Sequence, residues 1–385
     1  MKATNELDVV VYGASGYTGR LVCEYLADRY PDPGQLRWGM AGRSADKLAQ
    51  VRDEIGASKD TPIIFADAAD PQSLEAMIGR AKAVISTVGP YQIYGSELVA
   101  ACAQAGVDYL DLCGEPNWMR QMIDAHEAQA KASGARILFS CGYDSTPFEL
   151  GVYFCQEAAK AQFGAPARQV KGRVRGSRGW LSGGTAASGA ATGEAMQKDP
   201  RQMEVMLSPF GLTPGFEGPQ QPTGMEAGDD PDVGPVSPFM MAVINTKNVH
   251  RSNYLMGHAY GADFIYDEMT MGVSGPSLAL TDLGKLPGGG PKPGEGPTKE
   301  QRDAGYFDLL FIGTSDDGRK VRVSVKGDKD PGYGSTSKML AETAICLVKE
   351  AADVPGGLWV PGAALGDKLI ARLQKNAGLK FEVEA

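Results

Sequence analysis

The sequence predicts an α/β fold, a doubly wound parallel sheet with a second α+β domain inserted after it. Three observations carry this. Short β-rich runs alternate with amphipathic helical stretches over the first 165 residues. A glycine-rich turn, VVYGASGYTGRLV at 10–22, stands between the first such run and the first helix. Beyond residue 165 the alternation stops, and Pro/Gly-rich stretches separate isolated strands and helices.

Strands are expected at 7–12, 36–41, 62–66, 83–88, 109–112 and 136–140, each an apolar run of strand length bounded by turn residues. Helices are expected between them at 17–29, 44–56, 71–81, 95–105 and 117–133. The second opens on Ser44, a suitable N-cap, and carries Leu48, Val51 and Ile55 at helical spacing. Six strands joined by five crossovers describe a Rossmann-type domain over 1–165, whose ligand lies beyond the carboxyl ends of the strands. The inserted domain spans 166–330. QVKGRVRG reads as a strand with Lys171, Arg173 and Arg175 on one face, either a docking stripe for an acyl carrier or a solvated edge. GWLSGGTAASGAATGEAM opens an alanine-rich helix at Gly183, Gly184 and Thr185, suited to an anionic group or to close helix packing. FMMAVINTKNV reads as a short apolar patch, for the core or for an acyl chain. FDLLFIG and VRVSV flank Asp317-Gly318 as a hairpin. Residues 208–238 hold seven prolines and six glycines, and residues 284–297 hold ten Pro or Gly in 14. Both are expected as long loops, over an active site or simply on the surface. Residues 331–385 are expected as helices returning to the first domain, with Met339, Leu340, Thr343, Ala344 and Leu347 on an apolar side.

Composition narrows the function. A net charge of −9 argues against nucleic-acid binding, which needs a basic surface. No 18-residue apolar run and no leader-like N-terminus are visible, so a cytoplasmic protein without a transmembrane segment is expected. Six cysteines without a C-x-x-C pair and three scattered histidines indicate neither a disulfide framework nor a metal site.

The glycine turn has a chemical reading in this context. Gly13 allows the tight turn, Gly16 lets the backbone approach a pyrophosphate, and Gly19 brings helix against strand. With Ser15, Tyr17 and Thr18, they would present free N–H groups of the helix start to phosphate. The second strand ends in Gly42, Arg43 and Ser44 where an NAD-specific fold places an acid. Arg43, Ser44 and Lys47 suit a 2′-phosphate, so the expected cofactor is NADP(H); a solvated Arg43 is the alternative. Asp67, after the third strand, would hold the adenine amine, and Val88, Gly89 and Pro90 would lie along the nicotinamide ribose.

None of the 14 tyrosines has Lys four residues on, which removes the Tyr-x-x-x-Lys acid of short-chain dehydrogenases. Cys141, in FSCGYDSTP, is the one cysteine in a loop suited to a nucleophile, but no nearby histidine is evident to activate it, and it is expected as a packing residue. Taken together, VVYGASGYTGRLV, AGRSADKL, ISTVGPYQIYG, YLDLCGE, CGYDSTPFELG and GDKDPGYGSTSKMLAETAICL resemble the saccharopine dehydrogenase-like oxidoreductases, and within them the trans-acting enoyl reductases. The resemblance implies a Rossmann domain, a second domain inserted before C-terminal helices, and hydride transfer from NADPH.

The expected reaction is hydride delivery to an activated C=C or C=N bond, on a small-molecule or acyl-thioester substrate. Tyr91, Tyr143, Asp144 and Ser145 are the candidates for orientation or protonation, with Asp144 equally suited to cap the helix near Pro147. Amino-acid imine reduction, which needs arginines in the cleft, and a cofactor-binding sensor are the alternatives. An acyl carrier, a homodimer and peripheral membrane contact remain open.

Overall fold

In a computed structural model, residues 6–180, 183–272 and 294–384 are described. The first part follows the expected alternation: β1 (Leu7–Tyr12), α1 (Tyr17–Arg29), β2 (Trp38–Gly42), α2 (Ala45–Glu54), β3 (Ile63–Phe65), α3 (Pro71–Ile78), β4 (Ala81–Ser86), α4 (Tyr91–Tyr94), α5 (Ser96–Ala105), β5 (Asp108–Asp111), α6 (Pro116–Ser133) and β6 (Arg136–Leu138). Ser44 caps α2, accepting from the Lys47 N–H at 3.4 Å. The strands lie in the order β3-β2-β1-β4-β5-β6, all parallel, so the chain reverses direction across the sheet between β1 and β4. Val9, Val10, Val11, Val84 and Ile85 are fully buried because helices cover both faces.

The remainder contains α7 (Thr146–Phe163), β7 (Gln169–Arg178), α8 (Gly183–Lys198), α9 (Pro200–Leu207), β8 (Gly228–Asp230), β9 (Gly234–Pro238), α10 (Ala242–Leu255), β10 (Ile265–Met271), α11 (Lys299–Asp303), β11 (Tyr306–Thr314), β12 (Lys320–Gly327), α12 (Thr336–Glu350), β13 (Gly357–Trp359), α13 (Pro361–Asn376) and β14 (Leu379–Glu384). A second seven-stranded sheet runs β14-β12-β11-β7-β10-β9-β8. β11 and β12 form the expected antiparallel hairpin. Val170, Val174, Leu309, Phe311, Val323 and Val325 share its inner face and one core with α7 and α13.

Four expectations change. The patch at 239–249 runs into the 14-residue helix α10, whose buried residues include Asn245, Lys247, Asn248, His250, Arg251, Ser252 and Asn253; its polarity concealed it. Residues 208–238 are not one long loop, since they carry β9 and the edge strand β8. Lys171, Arg173 and Arg175 are neither a docking stripe nor a solvated edge. Lys171 pairs with Asp230 and Asp232, Arg173 with Asp230 and Asp267, and Arg175 with Asp308 and Glu384. The C-terminal segment is more than helices: β13 extends the first sheet beside β6, and β14 pairs with β12 in the second. The expected loop at 284–297 lies outside the described residues up to 293.

The inner side of α12 is buried through Met339, Leu340, Thr343, Ala344 and Leu347. Its Glu342 accepts from Tyr25 and Tyr30 of the first domain, at 2.5 and 2.7 Å, and pairs with Arg372. No helix among the described residues is long and apolar enough to cross a membrane.

Candidate active site

The crevice beyond the carboxyl ends of β1 to β6 is built from the turns that leave those strands. Gly13 has φ +86°, a conformation open to glycine, and a Cβ there would lie 2.7 Å from Thr87 Oγ1. A Cβ on Gly19 would lie 2.2 Å from the Gly13 carbonyl oxygen. The α1 start is therefore pressed against β1 and the β4 turn. Gly16 is its N-cap, with no side chain over the helix end and no acid in the first turn. The first-turn N–H groups are left for an anion.

Arg43 is exposed at the end of β2 and pairs with no carboxylate among the described residues, while Ser44 is half-buried and Lys47 exposed one turn on. Burial pushes the Tyr12 phenol up to about 12, and the opposing charges of Asp67 and Arg43 both act on it. The ends of β1, β2 and β3 therefore converge. Asp67 spends one oxygen on the Ala69 N–H at 3.0 Å. Val88 lies against Gly13, and Gly89 is exposed in front of buried Pro90 and Tyr91. Ser15 is exposed and Thr18 half-buried on the glycine turn. Tyr17 differs from expectation. Its hydroxyl donates to the Pro297 carbonyl and accepts from Arg302 Nη1 at 3.1 Å, and its ring meets Tyr333 edge-on at 5.2 Å. The side chain is a latch to the second domain, leaving only its backbone N–H for a phosphate.

Residues 9–138 match the saccharopine dehydrogenase NADP binding domain. Rv2449c of Mycobacterium tuberculosis is 38% identical over 97% of this chain and 97% of its own. The trans-acting enoyl reductase of Mycobacterium ulcerans is 34% identical over 97% of both chains. The chain belongs to the family of the trans-acting enoyl reductases. The fold is also that of yeast saccharopine dehydrogenase, with a TM-score of 0.54 at 11% identity over 98% of this chain and 100% of that one. As in its family domain, the cofactor is NADP(H). The cradle fits it: an uncapped helix start, glycines where a Cβ would clash, and an unpaired guanidinium one strand away.

In this family member two buried acids organise the crevice floor, and neither was assigned a role from sequence. Asp111 accepts from the Cys113 and Ser140 N–H groups, at 2.9 and 3.0 Å, and from Tyr109. Glu115 accepts from the Tyr91 and Gln92 N–H groups and from Ser188 of α8, at 2.9, 2.9 and 2.8 Å. α8 is thereby held across the crevice. Its first turn is fixed by Thr185, whose hydroxyl lies 2.8 Å from that of Tyr333. Asp111 and Glu115 stand in the YLDLCGE block, so their spacing at a strand end was the available signal.

Two of the four candidates for proton transfer have their hydroxyls engaged within the fold, and a third packs by its ring. Tyr91 is stacked on Trp118, and its hydroxyl donates to Ser86 O at 3.0 Å and faces Leu112 N at 3.4 Å. That group braces β4 against the β5 end. Tyr143 packs its ring on Phe148 and Phe307. Ser145 donates to Glu149 at 3.3 Å and accepts from Asn248 Nδ2.

Asp144 is different. It does not cap α7, whose N-cap is Ser145, and its enclosed Oδ1 has no hydrogen-bond partner among the described residues. Burial raises its carboxyl to about 7, so it holds a proton near neutrality. Cys141 is excluded as a nucleophile. Its thiol faces the carbonyls of Leu138 and Phe139, and burial, with Asp111 beside it, drives it well above its ordinary value.

No cluster suited to a metal exists among the described residues. A cavity of about 410 Å³ at the amino-terminal ends of β4, β5 and β6 is not the site. Its cations Lys82 and Arg136 are already paired with Asp8 and Asp108.

Proposed function

We propose that the protein reduces an enoyl group conjugated to a thioester, using NADPH, in the cytoplasm. NADPH when bound supplies the hydride. Gly13, Gly16, Gly19 and the first-turn N–H groups hold its pyrophosphate, and Arg43 with Ser44 and Lys47 holds the 2′-phosphate. Asp67 lies toward the adenine, and Val88, Gly89 and Pro90 line the nicotinamide side. Hydride addition at the β-carbon places the electron pair of the double bond on the α-carbon as an enolate. Asp144 gives its proton there and takes another from solvent.

The observation that carries this reading is Asp144 Oδ1, enclosed after β6 and without a hydrogen-bond partner among the described residues, on a carboxyl that burial raises to about 7. The names of the near-full-length relatives support the substrate class. An amino-acid imine would need a free guanidinium. The buried arginines are taken: Arg173 by Asp230 and Asp267, and Arg251 by the Leu212 and Leu358 carbonyls.

Mixing the protein with NADPH and then with enoyl thioesters or imino acids tests this through loss of nicotinamide absorbance. Oxidation by enoyl thioesters is expected. Oxidation by imino acids alone overturns it.

A further inference from the structure

Helix α10 buries a polar face where an apolar one is the rule. Two of its asparagines, Asn245 and Asn248, are fully buried and lie one turn apart on the side facing β10 and the start of α7. Both amides are oriented by what their nitrogens do. Asn245 Nδ2 donates to Glu268 at 3.0 Å, and Glu268 also accepts from Tyr266 at 2.8 Å. Asn248 Nδ2 donates to Ser145, whose own proton goes to Glu149. Each Oδ1 is therefore the free end, and neither has a partner among the described residues. A buried amide carbonyl left without a donor is costly unless something fills the place.

The nitrogen ends of both amides lead toward Asp144 through one intermediate residue each. Ser145 is its chain neighbour, and the Asp144 charge acts on Glu268, which holds Asn245. Asp144 is the third unpartnered oxygen of the same junction.

We propose that this junction is a substrate subsite in which Asn245 and Asn248 accept hydrogen bonds from an uncharged donor, a hydroxyl or amide N–H, carried by the thioester substrate. The inference rests on the enoyl-thioester reading above. The uncharged character follows from the surroundings. Burial keeps Glu149 and Glu268, both at about 8, largely protonated at neutral pH, so neither of these two carboxyls offers a fixed anion to hold an ammonium. The donor has two sources, a hydroxyl on the acyl chain or an amide of a pantetheine-like arm. Either would pin the substrate next to the acid that protonates it.

The experiment compares three enoyl thioesters of equal chain length: a plain S-alkyl ester, the same acyl chain with a hydroxyl, and the same chain on N-acetylcysteamine. Wild-type kcat/KM is expected to favour at least one donor-bearing ester over the plain one by about 10-fold or more. In Asn245→Leu and Asn248→Leu the preference is expected to shrink toward 1, chiefly through KM, with the NADPH Kd unchanged as a check on folding. The ester that keeps its advantage in wild type identifies the source. Equal kcat/KM for all three in wild type, or a preference that survives both substitutions, overturns the subsite while leaving enoyl reduction intact. Oxidation by none of the three overturns both readings.

Discussion

The Gly13 carbonyl oxygen occupies the space that any side chain at Gly19 would need, 2.2 Å from where its Cβ would fall. The turn and the helix behind it are thus one rigid unit. Gly19→Val is expected to destabilise the fold by about 1–3 kcal/mol and to abolish NADPH binding, because helix and strand must separate. Thermal unfolding and calorimetric titration check the two effects.

Arg43, exposed at the end of β2, pairs with no carboxylate among the described residues. Arg43→Ala is expected to weaken NADPH binding by about 10- to 100-fold and to leave NADH binding within about 2-fold, since only the 2′-phosphate loses its forked partner. Equal losses for the two cofactors would refute the assignment.

Tyr91 braces the β4 and β5 ends and does not face the reaction. Tyr91→Phe removes the hydroxyl that donates to the Ser86 carbonyl, and about 1 kcal/mol of stability is expected to go with it. Turnover by the folded fraction is expected to stay within about 2-fold of wild type.

On the proposed reading Asp144 acts in its protonated form. Its carboxyl titrates at about 7, so kcat/KM is expected to fall as pH rises through about 7. Asp144→Asn is expected to lose roughly 100- to 10,000-fold in kcat and that alkaline limb, with NADPH affinity retained. Full activity in the variant would move protonation to solvent.

The buried acids also set a slope of stability. Asp111 and Asp144 titrate at about 7 and Glu149 and Glu268 at about 8, all raised by burial. The folded state therefore binds more protons than the unfolded chain in this range, and stability falls as pH rises. His250, lowered to about 3 by burial, opposes this only below its unfolded value, and Lys247, lowered to about 8, only above 8. Between about pH 6.5 and 8 the unfolding free energy is expected to decline, by about 1.4 kcal/mol per pH unit for each of these acids that keeps its proton in the fold, and the denaturation midpoint with it. A rising midpoint there would mean that these acids are ionised in the fold.

The sequence by itself determined the first sheet, the glycine cradle and the cofactor. Strand and helix periods are local, and the need for glycine at positions 13 and 19 is written into the chain within ten residues of each other. The Ser44 cap and the β11–β12 hairpin were legible for the same reason. Tertiary structure alone decided the roles of side chains whose partners lie far along the chain. It turned Tyr91 and Ser145 inward, paired Lys171, Arg173 and Arg175 with acids some 57 to 209 residues away, and made the polar helix α10 an interior element. A hydrophobic pattern records which face is buried against apolar neighbours, but it does not record a polar face buried against polar ones. Which of the four candidates keeps an unpartnered polar atom depended on long-range contacts, and only the folded chain supplies partners to Tyr91 and Ser145 while leaving Asp144 Oδ1 without one among the described residues.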